Sequence, residues 1–198
     1  MPKTKEQCEE IKEKMKNRIL ESSIEYFAKN GYSGTKITQL AKYIGIGQGT
    51  LYIYFANKEE LFTEIMKKLN SQNENGLENL VKVKMDSESK IKLISESMVE
   101  NIKNKSIIAY SFALNIRMVQ EQSADNQFTR SYENIPVKAL RDIILQGQQE
   151  GSVIEGDPYK LSDYYWSVVH TLALININSN ENQTLEVNWL NRILLKDK

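Results

Sequence analysis

The chain has 198 residues, 40% hydrophobic and 26% charged, and its 26 basic and 26 acidic side chains cancel to a formal net charge of zero. That length can bury one large core or two small ones, and the composition excludes a disordered chain and a uniformly basic nucleic-acid coat. A single cysteine, Cys8, excludes an internal disulfide and a cysteine-built zinc site, and fits a reducing, cytoplasmic compartment.

The first eighteen residues alternate Lys and Glu without an apolar stretch, so no signal peptide is expected. Residues 10–29 space Ile11, Met15, Ile19, Leu20, Ile24, Phe27 and Ala28 by threes and fours, which predicts a first helix closed by Asn30-Gly31. Thr35 fits the N-cap of a second helix, whose stripe of Ile37, Leu40, Ala41 and Ile44 stops at Gly45. A third helix follows within a few residues, with Leu51 and Phe55 on one face. A longer helix through Leu61, Ile65 and Leu69 is expected to about residue 82, then others near 87–104, 106–121 and 127–149. Glycines and a proline mark a loop over 147–158, after which helices are expected at 159–177 and 183–196. The most apolar segment, Trp166 to Ile177, is too short to span a bilayer and reads as a buried helix. The pattern predicts an all-α fold of about nine helices.

Two short helices joined through Gly45-Ile46-Gly47 have the spacing of a helix-turn-helix. There the first two helices grip the third from behind and leave its far side free for the DNA major groove. With Leu51 and Phe55 turned inward, Gln48, Thr50, Ile53 and Tyr54 fall largely outward, and Gly49 lets the backbone approach DNA. The charge distribution agrees. Residues 1–58 hold ten basic against six acidic side chains, and residues 59–198 sixteen against twenty.

Over about residues 13–73 the sequence resembles the tetracycline-repressor (TetR) family of bacterial regulators. The resemblance is carried by Ile19-Leu20, Phe27-Ala28 and Gly31-Tyr32, then by Thr35, Ile37, Leu40-Ala41 and Gly45. It continues through Gly49-Thr50-Leu51-Tyr52-Ile53-Tyr54-Phe55 and Asn57-Lys58-Glu59-Glu60-Leu61. It implies a helix-turn-helix DNA-binding domain over 1–58 and a helical effector-binding and dimerisation domain over 59–198. It also implies DNA contacts from Lys36, Thr38, Gly47, Gln48, Gly49, Thr50, Tyr52, Ile53, Tyr54 and Lys58. Side-chain chemistry agrees: Gln48 suits adenine, Ile53 a thymine methyl, and the Tyr52 and Tyr54 hydroxyls suit phosphate. Lys58 matches a lysine that touches phosphate, and Lys36 could share one with a helix N-terminus. The sequence departs from the family's commonest pattern at Ile44, Gly47 and Gln48, where Ala, a capping Ser and a cation are usual.

The implied mechanism is repression by a homodimer on a palindromic double-stranded operator, released by a small-molecule effector. Tyr110, Phe112, Met118, Phe128, Tyr132, Trp166 and His170 are candidates for an effector pocket, although a helical bundle needs such residues for its core or interface as well. Leu161, Tyr165, Val168 and Leu172, with Trp189, Leu190 and Ile193, are apolar around more than one helical face, which points to dimerisation by the last two helices. His170, the only histidine, has no partner in phase. No catalytic set, metal-spaced cluster or cofactor motif is present, so neither enzyme, metal, cofactor nor membrane association is expected. Two alternatives stay open: a regulator without a small-molecule effector, and a helical enzyme or carrier with a vestigial DNA-binding motif.

Overall fold

The structure, a computed structural model, describes residues 4–120, 135–179 and 185–197; for 70–75, 119–120 and 135 the backbone alone is described. Among the described residues there are nine helices: α1 (Lys5–Asn30), α2 (Ile37–Ile44), α3 (Gln48–Tyr54), α4 (Lys58–Lys82), α5 (Ser87–Lys103), α6 (Ile107–Gln120), α7 (Ile135–Glu150), α8 (Pro158–Asn178) and α9 (Val187–Asn191). The chain is all-α, as the hydrophobic spacing predicts. Phe128 and Tyr132, and the start of the helix expected from 127, lie outside the described residues.

Helix α1 begins six residues before Ile11, the first residue of its apolar stripe. Thr4 Oγ1 accepts from the Gln7 amide while Gln7 Oε1 accepts from the Thr4 amide, a reciprocal capping box. Helix α2 begins at Ile37 after Lys36, whose side chain makes no capping bond. Thr35, expected as that cap, instead donates its hydroxyl to the Gly31 carbonyl at 2.6 Å. The hydroxyl thus serves the end of α1, where Gly31 has left the helix at φ 78°. Helices α4, α5 and α8 start on Asn57, Asp86 and Asp157, each accepting backbone amides of the first turn.

Two apolar clusters share the interior. One joins α1, α2, α3 and the first half of α4 to Tyr110, Ala113, Leu114 and Met118 of α6. The other joins α5, α7, α8 and α9, with Phe112 of α6. Helix α6 therefore lies between them. It runs antiparallel to α8, since the Lys105 ammonium meets the Ser179 carbonyl while Phe112 meets His170.

The expected terminal helix over 183–196 is reduced to α9. After it, Leu195 pairs with Val153, the Ile154 amide donates to the Leu194 carbonyl at 2.9 Å, and the Lys196 amide donates to Ser152 at 3.0 Å. The loop between α7 and α8 has backbone groups to satisfy, and the extended C-terminal segment satisfies them where a helix could not. Beneath this loop Gly147 of α7 lies so close to Val153 and Ser87 that an added Cβ would overlap both. Gly147→Ala is therefore expected to destabilise the fold by about 1–3 kcal/mol, although alanine favours helices, and thermal denaturation measures it.

Candidate nucleic-acid interface

The turn between α2 and α3 is built from backbone hydrogen bonds and one long side chain. Gly45 is left-handed at φ 78°, and the Ile46 amide donates back to the Ala41 carbonyl at 3.0 Å. The Arg18 guanidinium of α1 donates to the Ile44 carbonyl at 2.8 Å, tying α1 to the end of α2. Gly47 caps α3 without a side chain. Leu51 and Phe55 are fully buried, which fixes the roll of α3.

That roll sets what faces outward. Gln48, Gly49 and Tyr52 are exposed, and Ile53 is 78% exposed, more than any other large hydrophobic residue described. Thr50 and Tyr54 are half-buried, and Tyr54 packs against the first cluster. Lys36 and Thr38, at the start of α2, and Lys42, near its end, are also exposed. Helix α3 carries no charge, so its side chains offer hydrogen-bonding groups and methyls, while cations stand on α2. The cationic groups and the uncharged polar and methyl groups of this surface thus lie on different helices.

Lys58 is placed differently from its expected role. Its ammonium donates to the Tyr32 carbonyl at 2.9 Å and the Thr35 carbonyl at 3.1 Å, and sits 4.3 Å from the centroid of the Tyr32 ring. Tyr32 in turn packs on Phe62 at 4.7 Å. Lys58 therefore holds the α1–α2 connection from the start of α4, with two of its three N–H donors committed to backbone carbonyls. The reason is local: residue 57 must cap α4, which aims residue 58 back at the carbonyls that the turn leaves unpaired.

Behind this surface stands a link that the sequence does not announce. On α6, Arg117 donates to the Ala28 carbonyl at 2.6 Å and the Lys29 carbonyl at 2.8 Å, two of the carbonyls that the end of α1 leaves open. Two turns earlier on the same face of α6, the Tyr110 hydroxyl donates to Glu25 of α1 at 3.1 Å, and Lys29 donates to the same carboxylate at 2.6 Å. Burial raises the Glu25 pKa, but Lys29, Tyr43 and Tyr110 outweigh it and hold the carboxyl below its usual range. Burial and that carboxylate push the Tyr43 hydroxyl of α2 up to about 12. The only hint in the sequence is a lone arginine in an apolar helix.

In the body, a cavity of about 290 Å³ opens between α4, α5, α6 and α8. Phe112 and Trp166 of the expected pocket residues form part of its wall, and the Trp166 indole N–H donates to the Pro136 carbonyl at 3.1 Å. Tyr110 and Met118 lie on the opposite side of α6, in the first cluster, because that face must cover α1. His170 sits beside the wall, 5.1 Å from the Phe112 ring, and desolvation pushes its pKa down to about 4. Of the residues expected at a dimer interface, Tyr165 and Leu190 are buried within the protomer. Tyr165 bonds Ser95 at 2.9 Å, and Leu190 packs in the second cluster. Leu161, Leu172 and Ile193 are half-buried, whereas Val168 and Trp189 are exposed. Among the described residues no group of three or more His, Cys, Asp or Glu could hold a metal, and no helix is long and apolar enough to cross a membrane.

A glycine-closed helix-turn-helix with an outward third helix, set on a helical body that contains a cavity, defines the class: a DNA-binding transcriptional regulator. A family model described as bacterial regulatory proteins, tetR family, matches residues 19–65, the helix-turn-helix region, and the relatives and structural neighbours support a TetR-family transcriptional regulator. It is 26% identical over 147 residues to the fatty acid metabolism regulator protein of Bacillus subtilis, covering 73% of this chain and 74% of that one. Two solved structures share the fold. A TetR-family transcriptional regulator from Agrobacterium tumefaciens has a TM-score of 0.72 and 14% identity, over 91% of this chain and 95% of that one. AibR, in complex with isovaleryl coenzyme A and operator DNA, has a TM-score of 0.64 and 18% identity, over 89% and 94%.

Two predictions follow from this geometry. Lys58→Met should destabilise the protein by about 1–3 kcal/mol by stranding two carbonyls, and should leave the slope of log operator affinity against log salt unchanged. A slope shallower by about one would return Lys58 to phosphate. For His170 the folded pKa lies below the unfolded value, so the unfolded chain takes up a proton that the native one refuses as pH falls. Stability should therefore drop between about pH 6.5 and pH 4 more in the wild type than in His170→Asn. Parallel curves of melting temperature against pH would contradict this.

Proposed function

We propose that the chain is a ligand-responsive repressor acting in the cytoplasm, a regulator and not an enzyme. It binds a palindromic operator as a homodimer, with residues 1–58 as the DNA-binding unit and 59–198 as the effector-binding and dimerising unit. The carrying observation is that α6 serves both halves. Ile108 and Phe112 line the cavity on one side, while Tyr110 and Arg117 hold α1 on the other. A molecule that fills the cavity acts on the helix that seats the DNA-binding unit. It changes operator affinity to the extent that it binds one arrangement of α6 better than another. AibR, a structural neighbour, was solved with both isovaleryl coenzyme A and operator DNA, which supports joint binding of this kind.

In this reading base preference comes from Gln48, Thr50, Tyr52 and Ile53, with Gly47 and Gly49 allowing close approach. Phosphate attraction comes from Lys36 and Lys42, with Thr38 and Tyr54 beside them. The homodimer is supported by α8, where exposed Tyr164, Val168 and Ile175, with half-buried Leu172 between the last two, recur every three or four residues along one side. A monomer leaves that stripe in water, and a two-fold axis along it covers both copies.

Selection of genomic fragments by the purified protein tests the reading. The expected product is an inverted repeat, and Ile53→Ala should alter preference at one or two base pairs per half-site, each worth about 1–3 kcal/mol. Val168→Glu, at an already exposed position, should give a folded monomer by light scattering and abolish operator binding. A variant still dimeric and still bound to the operator would move the interface off α8.

A further inference from the structure

We infer that the cavity takes an unbranched hydrocarbon tail of about ten carbons or fewer, and that the polar head of the same molecule stays at the mouth. This rests on the cavity being the effector site proposed above. Its wall includes Leu77 and Leu80 of α4, Ile94 and Met98 of α5, and Ile108 of α6, and among the described residues no charged side chain lines it. The polar side chain in the lining, Ser97, is exposed and already takes a hydrogen from Asn101. The indole N–H of Trp166 is committed to the Pro136 carbonyl. A carboxylate, phosphate or ammonium drawn inside would lose its hydration and find no charged partner among the described lining residues. What enters must therefore be apolar.

Shape favours a chain over a flat ring system. The Phe112 and Trp166 rings are inclined at 54° with centroids 5.9 Å apart, so they form a wedge and not a parallel slot for a planar aromatic. Met98, unbranched and adaptable, can follow a flexible chain. Size sets the length. A cavity of about 290 Å³ holds about ten groups of water size at roughly 30 Å³ each, and a methylene is of that size. Among the described lining residues Leu93, Ser97 and Gly76 are exposed, and a head group beside Leu93 and Ser97 keeps its water.

Tryptophan emission tests this directly. The chain has two tryptophans, and Trp189 is 70% exposed, so Trp189→Phe leaves Trp166 in the cavity wall as the reporter. The probes are straight-chain carboxylates from hexanoate to tetradecanoate, below their micelle concentrations, with decanedioate as the double-headed control. The expected result is a Trp166 shift whose dissociation constant falls roughly fourfold per added methylene up to about ten carbons and then levels, with decanedioate at least about tenfold weaker than decanoate. Leu93→Phe, at the mouth, should weaken decanoate several-fold with an unchanged melting temperature. Absence of binding, a response flat in chain length, or equal binding of decanoate and decanedioate overturns the assignment. Operator affinity measured in the same titration separates the two readings. Decanoate binding that leaves operator affinity unchanged retires the effector role and keeps the tail site. Operator release without a Trp166 response keeps a ligand-responsive regulator and overturns the tail site.

Discussion

The arrangement of the whole molecule depends on how the end of α1 is closed. A helix terminus leaves carbonyls without partners and carries partial negative charge. Here that terminus points at an apolar helix, where unpaired carbonyls would be costly. Arg117 resolves the conflict with two short hydrogen bonds from one planar group, to Ala28 and Lys29. Because the acceptors are backbone atoms, the bonds fix the axis of α1 and not merely a side chain. Arg18, near the middle of the same helix, then holds the carbonyl that ends α2. One helix, clamped at its end by the body, thus positions the turn that presents α3.

The recognition surface divides its labour by range. Coulomb attraction acts over several ångströms and is screened by salt, whereas hydrogen bonds and methyl contacts act only at the base edge. An uncharged α3 beside cationic positions on α2 places the two kinds of group on different helices. Ile53 is the sharpest sign of this division. A β-branched hydrocarbon side chain left 78% exposed gains nothing from water, and it stands on the face that the burial of Leu51 and Phe55 turns outward.

Much of this was legible in the sequence, and the misses share a cause. The stripes of α1, α2 and α4, the glycine closures and the outward face of α3 follow from neighbours three and four residues apart, so local spacing contains them. Lys58 and Thr35 were misassigned because each satisfies a carbonyl of the α1–α2 connection, and spacing does not reveal which carbonyls a turn strands. Tyr110 and Met118 were grouped with Phe112 as pocket residues, because an apolar composition does not say which of two cores a helical face meets. The link from Arg117 to α1 crosses 89 and 88 residues of chain, and no local signal spans that distance. At the C-terminus, the run Ile193-Leu194-Leu195 suits a helix as well as an extended segment. The unpaired backbone of the α7–α8 loop decides between them.

Helix α4 adds a second connection that constrains how the halves can move. Its 25 residues extend about 37 Å at 1.5 Å per residue. Leu61, Phe62, Ile65, Met66 and Leu69 belong to the first cluster, while Leu77 and Leu80 line the cavity. Its first residue, Lys58, grips the α1–α2 connection, and its far end meets the buried Lys90, whose ammonium donates to the Val81 carbonyl at 3.0 Å. Widening the cavity against Leu77 and Leu80 bears on the same rod that Lys58 fastens to the DNA-binding helices. Two rods, α4 and α6, therefore join the cavity to the recognition surface, and each ends in a cation set on backbone carbonyls. Close-packed cores transmit displacement and do not absorb it, so a tilt of one rod without the other would have to break one of these carbonyl contacts. The concerted motion of both is the one that leaves every contact made.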